Sequence, residues 1–431
     1  MTRQIRLDVL LGLLAIALSA VAVRAEGPWT VGEPIVTYWA GPGYPGGGPL
    51  DDAAAEQIVA GGWNLAWCSN VEDLDAARRH GLRALFVDPL IAPASLNDPE
   101  RREALTALVD RVRAHPALYA YHVVDEPSAA AFPALGEIVA FLRERDPAHL
   151  AYINLLPTYA DNEQLGVEGP ILDAYKEHLR RFVETVRPGL LSYDHYQFRR
   201  GDDAPDYFLN LALVRNQALD SDLPFLNIVQ ASSWVPGEAA SPDSPRVPGP
   251  DEMRFLVYTT LAYGAQGISY YVYHYPKHEG GMIDPDGRPS PRYEALKTLN
   301  REFAAIAREL QPLRSLAVYH AGMEPPGAVA LPEGEPFRLD PPVPSEPFHP
   351  GDRARGVLLG LFGPAAAGAE ATATHAVVVN LDYKAERTTT LVGPAPLEVF
   401  DATTGKWGPA DGPRVELRLP GGVGTLIRLA R

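Results

Sequence analysis

An α/β fold is what this chain predicts: a closed (β/α)8 barrel over residues 26–314, followed by a C-terminal antiparallel β-sandwich over 315–431. Three observations lead there. The chain has 431 residues, 46% hydrophobic and 21% charged, the balance of a globular protein with a large core. From Glu33 onward, eight apolar runs alternate with eight amphipathic stretches. Repeated strand–helix units imply a parallel sheet, and eight of them over roughly 280 residues close a barrel. After Leu313 helical periodicity gives way to short alternating runs.

The strands are expected at "PIVTYWA" (34–40), "WNLAWCS" (63–69), "LRALFVD" (82–88), "LYAYHVVD" (118–125), "LAYINLL" (150–156), "LLSYDHY" (190–196), "PFLNIVQ" (224–230) and "GISYYVYHY" (267–275). Helical stretches lie between them, several opening on Asp or Ser caps or on a first-turn proline and closing on Gly or Pro. An open doubly wound sheet is disfavoured, because no GxGxxG turn follows the first strand; "GPGYPGGG" (41–48) reads as a rim loop. Residues 323–350 hold nine prolines, and the runs beyond them, such as "THAVVVNL" and "RVELRLPG", are punctuated by Gly, Pro, Asn and Asp. They predict the sandwich, read as structural or accessory.

Residues 1–25 stand apart. Arg3 and Arg6 precede fifteen apolar residues, and Ala25 closes a small-residue site, which predicts a cleaved signal peptide and a secreted or periplasmic protein without a stable membrane span. The net charge is −16, and −18 beyond residue 25 once three arginines and one aspartate are removed. Such an acidic chain without a basic stripe argues against nucleic acid as a partner. The single cysteine, Cys68, has no disulfide partner within the chain and reads as a small buried residue.

A (β/α)8 barrel carries its chemistry at the C-terminal ends of its strands. Those ends offer Tyr38 and Trp39 on the first strand, Asp88 on the third, Asp125 and Glu126 on the fourth, and Asn154 on the fifth. The sixth offers Asp194, His195 and Tyr196; the seventh Gln230, with Trp234 beyond; the eighth Tyr273, His274 and Tyr275. Adjacent carboxylates among aromatic, amide and imidazole groups suit sugar chemistry, in which one carboxyl protonates a glycosidic oxygen and another supplies negative charge. Each anion raises its neighbour's pKa and so keeps an acid protonated. Glu126, Asp125 and Asp194 are therefore the candidate catalytic groups. Trp39, Asn154, His195, Tyr196, Gln230, Trp234, Tyr273 and His274 are the candidate sugar contacts. No cofactor or metal is called for: the first strand lacks paired histidines, no GxSxG elbow occurs, and Asp194 and His195 point to opposite strand faces.

The "DEP" turn, Asp125 to Pro127, resembles the Asn-Glu-Pro turn of the retaining (β/α)8 glycosidases, and "GMIDPDGRPSPRYEALKTLNREF" (281–303) is similar to the end of the barrel in family 42 β-galactosidases. This resemblance implies a glycoside hydrolase acting on a carbohydrate, with Glu126 as acid/base. The chain departs from it where Asp125 replaces Asn, where Gln230 stands on the strand that should carry a nucleophilic Glu, and where Tyr and His replace a Trp on the eighth strand. The adjacent Asp-Glu also resembles the dyad of substrate-assisted hexosaminidases of families 20 and 123. That likeness implies a 2-acetamido sugar oriented by Asp125, with Tyr196, Trp234 and Tyr273 as its pocket. Asp194 as nucleophile or base opposite Glu126 is a third arrangement. A catalytically silent barrel that binds carbohydrate or serves as a scaffold is the alternative, motivated by Gln230.

Overall fold

The computed structural model describes residues 29–235, 237, 240–366 and 371–430. The expected signal peptide lies outside the described residues. Eight runs rich in aliphatic and aromatic residues form parallel strands: β1 (Ile35–Trp39), β2 (Leu65–Cys68), β3 (Arg83–Phe86), β4 (Leu118–Asp125), β5 (Leu150–Leu155), β6 (Leu191–His195), β7 (Phe225–Gln230) and β8 (Gly267–Tyr271). From β2 onward each pairs with the next, and β8 pairs with β1 as well as β7. The remaining seam, β1 against β2, is closed by other bonds. Asn64 N donates to Val36 O, Val36 N donates to Asn64 Oδ1 (both 3.0 Å), and Trp67 Nε1 donates to Tyr38 O. Ile35, Thr37, Leu65, Trp67, Leu85, Leu150, Tyr152 and Leu226 fill the interior around a void of only about 10 Å3. The barrel is a packed core, as alternation along each strand requires.

The helices are α1 (Asp52–Ala60), α2 (Val71–Arg79), α3 (Pro99–Val112), α4 (Phe132–Arg145), α5 (Asn162–Leu165), α6 (Ile171–Val186), α7 (Tyr207–Asp220), α8 (Pro250–Ala262) and α9 (Pro291–Leu310). Their starts follow local chemistry: Asp51, Asn70, Asp98 and Ser290 accept first-turn amides, and prolines open α3, α8 and α9. The one-turn α5, in the β5–α6 connection, is additional to the expected eight. Among the described residues no helix is long and apolar enough to cross a membrane.

Beyond α9 the chain forms a six-stranded antiparallel sheet facing a three-stranded one. Along its strands Gly356–Pro364 and His375–Asn380, alternate residues divide between two cores. Val357, Leu359, Leu361, Ala376 and Val378 meet Leu391, Leu417 and Leu419 of the smaller sheet. Leu358, Phe362, Val377 and Val379 join the barrel's core. Burial on both faces explains why "VLLGLFG" is a continuous apolar run. Gly360 permits the close approach, since a Cβ there would lie 2.0 Å from Ala262 O at the end of α8.

Candidate active site

The ends of β4, β5 and β6 bring three carboxyl groups to one place. Simple alternation from Ala120 and His122 would turn Val124 inward and Asp125 outward. A bulge prevents this: β4 pairs His122 with Tyr152, then Val124 with Ile153 and Asp125 with Asn154. The extra residue resets the parity, so Asp125 faces the mouth beside Asn154. Glu126 then takes a left-handed backbone conformation (φ +46°), with its N–H donating to Asn154 O at 2.9 Å. For a residue with a Cβ this costs on the order of 1 kcal/mol, and it lets two consecutive acids face the same cavity.

Asn154 is the centre of the cluster. Its Nδ2 donates to Asp125 Oδ1 (3.1 Å) and to Asp194 Oδ1 (2.9 Å). Its Oδ1 accepts from Ser192 Oγ (3.0 Å), which also meets Tyr152 OH at 2.8 Å. The two carboxyl oxygens assign the amide's orientation, leaving its Oδ1 to accept from the Ser192 hydroxyl. Asp194 is buried, and among the described residues its Oδ2 has no N–H or hydroxyl partner. Burial first, then the charges of Glu126 and Asp125, push its pKa well above the carboxylate range. Asp194 and Glu126 are within hydrogen-bonding reach, and two carboxyls so close repel unless one of them carries a proton. Glu126 is itself raised by burial, an effect opposed by the hydrogen bond it accepts from Asp194. Asp125 is pushed up to about 7, by burial first and the Glu126 charge second, against the Asn154 hydrogen bond. Both Asp125 and Glu126 remain exposed to the cavity, so they are the acids a ligand can reach.

The cavity holds about 400 Å3. Trp39, Tyr159, Tyr196, Trp234, Tyr271 and His278 supply its rings, and among the described residues no Lys or Arg lines it. Tyr196, Trp234 and Tyr271 form one wall, with ring centroids 5.1 to 5.7 Å apart. His278 meets the Tyr271 hydroxyl through Nε2 (3.2 Å), and burial lowers its pKa. Among the described residues no group of three or more His, Cys, Asp or Glu is placed to hold a metal ion.

Asp125, Glu126, Asp194, Trp39, Asn154, Tyr196 and Trp234 thus converge, and four other expected contacts do not. His195 follows Asp194 on the strand and points to the outer face. There its Nδ1 donates to Asn210 Oδ1 (3.0 Å) and its ring packs under Tyr159 at 5.1 Å. Gln230 is fully buried and spent on backbone: Oε1 accepts from Phe198 N, while Nε2 donates to Phe198 O and Arg246 O. It ties together the loops after β6 and β7. Tyr273 and His274 were expected on a strand that in fact ends at Tyr271. Tyr273 bonds Gln57 Oε1 and packs against Tyr38, while His274 lies beyond the lining. Tyr271 takes that place, level with Trp39 of β1 in the parallel register. Tyr159 and His278 also line the cavity from loops without periodic pattern, and Gln164 lines it from the one-turn α5. Only the aromatic Tyr159, soon after the Asn154 strand, was a visible signal.

No family model matches the sequence, and no curated protein does. Among solved structures, the chain is similar to a β-galactosidase from the haloarchaeon Halorubrum lacusprofundi, at 12% identity and TM-score 0.46 over 91% of this chain and 99% of that one. It is also similar to a GH27 β-L-arabinopyranosidase from Geobacillus stearothermophilus, at 9% identity and TM-score 0.44 over 94% and 98% of the two chains. A GH51 arabinofuranosidase from Xanthomonas axonopodis pv. citri aligns at 10% identity and TM-score 0.42 over 91% and 93%. These similar structures are glycoside hydrolases, and at such distance the likeness carries no argument about what this chain does.

Proposed function

We propose that the protein is an exported glycoside hydrolase that cleaves O-glycosidic bonds of a neutral or N-acetylated glycan, with Glu126 as general acid/base. One observation carries this reading: three carboxyl groups meet around Asn154 at the barrel mouth, under an aromatic wall and with no Lys or Arg among the described residues that line it. A sugar presents apolar C–H faces to such a wall, and the acids meet its glycosidic oxygen and anomeric carbon. Glu126, open to the cavity and hydrogen-bonded to Asp194, passes a proton to the leaving oxygen as the C–O bond breaks. Asp194 shares that proton, so the pair holds one where an isolated carboxyl would have lost it. Water supplies the hydroxyl for the anomeric carbon and its second proton to the carboxylate left behind.

In this reading Asp194 is not given the opposing role. Carboxyls that flank a glycosidic bond stand about 5 to 5.5 Å apart in retaining enzymes and 6.5 to 9.5 Å in inverting ones. Asp194 and Glu126 are in hydrogen-bonding contact instead. Asp125, poised about 7, is the carboxylate left for the oxocarbenium-like centre, for a water, or for orienting a 2-acetamido group. The leader-like residues 1–25 support export in this reading. The test is turnover of aryl glycosides and of neutral and N-acetylated oligosaccharides by the purified protein. Release of reducing ends, abolished in Glu126→Gln for unactivated substrates, is expected. Binding of glycans without cleavage of any would refute hydrolysis and restore the silent-barrel reading.

A further inference from the structure

Exposed aromatic rings are the feature that the cavity alone does not use. Among the described residues the large exposed hydrophobics include three aromatics, Tyr159, Trp234 and Tyr275, and four aliphatic residues. Tyr159 and Trp234 line the cavity. Tyr275 lies outside it, 41% exposed, but its ring meets His278 edge-on at 4.9 Å, and His278 meets Tyr271 at 5.7 Å. The rings therefore run without a break from the wall beside the acids, through His278, to open solvent at Tyr275.

The backbone holds this row in place. Residues Tyr275–His278 form a turn closed by His278 N donating to Tyr275 O (3.2 Å), with Lys277 held in the left-handed region at φ +72°. Glu279 and Gly280 then pair antiparallel with Ser233 and Ser232, immediately before Trp234. The Glu279 carboxylate accepts from Gly237 N (2.9 Å) and from Arg200 (3.0 Å). Gly280, at φ +92°, approaches Val247 so closely that a Cβ would fall 2.7 Å from it. The Trp234 loop and the Tyr275 turn are thus one built unit, and an aromatic left exposed on such a unit beside a mouth is a binding feature.

We propose that Tyr275 and His278 form a second saccharide subsite, so that the protein takes an extended glycan whose outer residue stacks on Tyr275. This rests on the glycosidase reading for the inner subsite and adds chain length to it. The exposed ring faces, and an inner cavity that no described Lys or Arg lines, fit an uncharged oligosaccharide, with Lys277 of the outer turn exposed to solvent.

The experiment compares wild type, Tyr275→Ala and Tyr275→Phe on aryl monosaccharide glycosides and on cello-, xylo-, manno- and chito-oligosaccharides of increasing length. Binding of the same oligosaccharides is measured by calorimetry in the Glu126→Gln background. Tyr275→Ala is expected to lower kcat/KM and affinity about ten-fold for the longer chains only, the scale of one lost ring contact. Tyr275→Phe, which keeps the ring, restores both. Equal behaviour of wild type and Tyr275→Ala on every length, or no gain in wild-type affinity with length, overturns the subsite. Length-dependent binding lost in Tyr275→Ala, with no cleavage by wild type, would refute the glycosidase reading and leave the subsite standing.

Discussion

Replacing Glu126 by Gln tests the acid and its electrostatic surroundings together. The substitution keeps shape and leaves an amide oxygen to accept from Asp194, so the cluster around Asn154 stays folded. What it removes is a transferable proton and a charge. Loss of a positioned general acid costs about 10²–10⁴-fold where the leaving group needs protonation, and much less for an activated aryl leaving group. The charge has a separate signature. Glu126 is the second cause, after burial, of the rise of Asp125 to about 7. Without it the Asp125 pKa falls, and the limb of the residual pH profile that reports Asp125 moves toward acid. Because Asp125 is open to the cavity, water tempers the effect, and a displacement of about one unit is expected. The assay is kcat/KM for nitrophenyl and alkyl glycosides across the pH range. Equal loss on both leaving groups would refute Glu126 as the acid. A limb that stays put or moves toward alkali would refute the proposed coupling to Asp125.

The buried acid makes a stability prediction. A carboxyl whose folded pKa is raised binds more protons folded than unfolded from about pH 4 upward, so wild-type stability falls as pH rises through that window. Asp194→Asn cannot ionise; it should leave Tm unchanged near pH 4 and raise it by about 3 °C near pH 8, and an equal loss at both pH values would contradict the sign. Gln230→Glu places an acceptor against Phe198 O and Arg246 O, which now receive N–H bonds of 2.9 and 2.7 Å. It should cost about 2–4 kcal/mol and create no activity, whereas a gain in turnover would reinstate this position as catalytic. Gly360→Ala forces a methyl group onto Ala262 O at 2.0 Å. It should destabilise by about 1–3 kcal/mol in denaturant titration, and an unchanged midpoint would contradict the packing of the sheet on α8.

The fold was legible because its signals are local. Each of the eight apolar runs contains a barrel strand, and "LYAYHVVD" is β4 residue for residue, because burial on both faces writes itself into composition. The switch to alternating runs after Leu313 likewise records a two-sheet unit, and the carboxyls at the ends of β4 and β6 were visible as residues at strand ends. Tertiary structure decided what each side chain does there. Asp125 and Glu126 face one cavity because a bulge and a left-handed residue break the alternation. Gln230 is absent from the cavity because loops near Phe198 and Arg246 claim its amide. Tyr271 replaces Tyr273 because β8 ends level with Trp39. A side chain's face within its own strand follows from its neighbours in sequence. Register, bulges and the competition for hydrogen-bonding groups are set by segments far away in the chain, so only the folded molecule holds them.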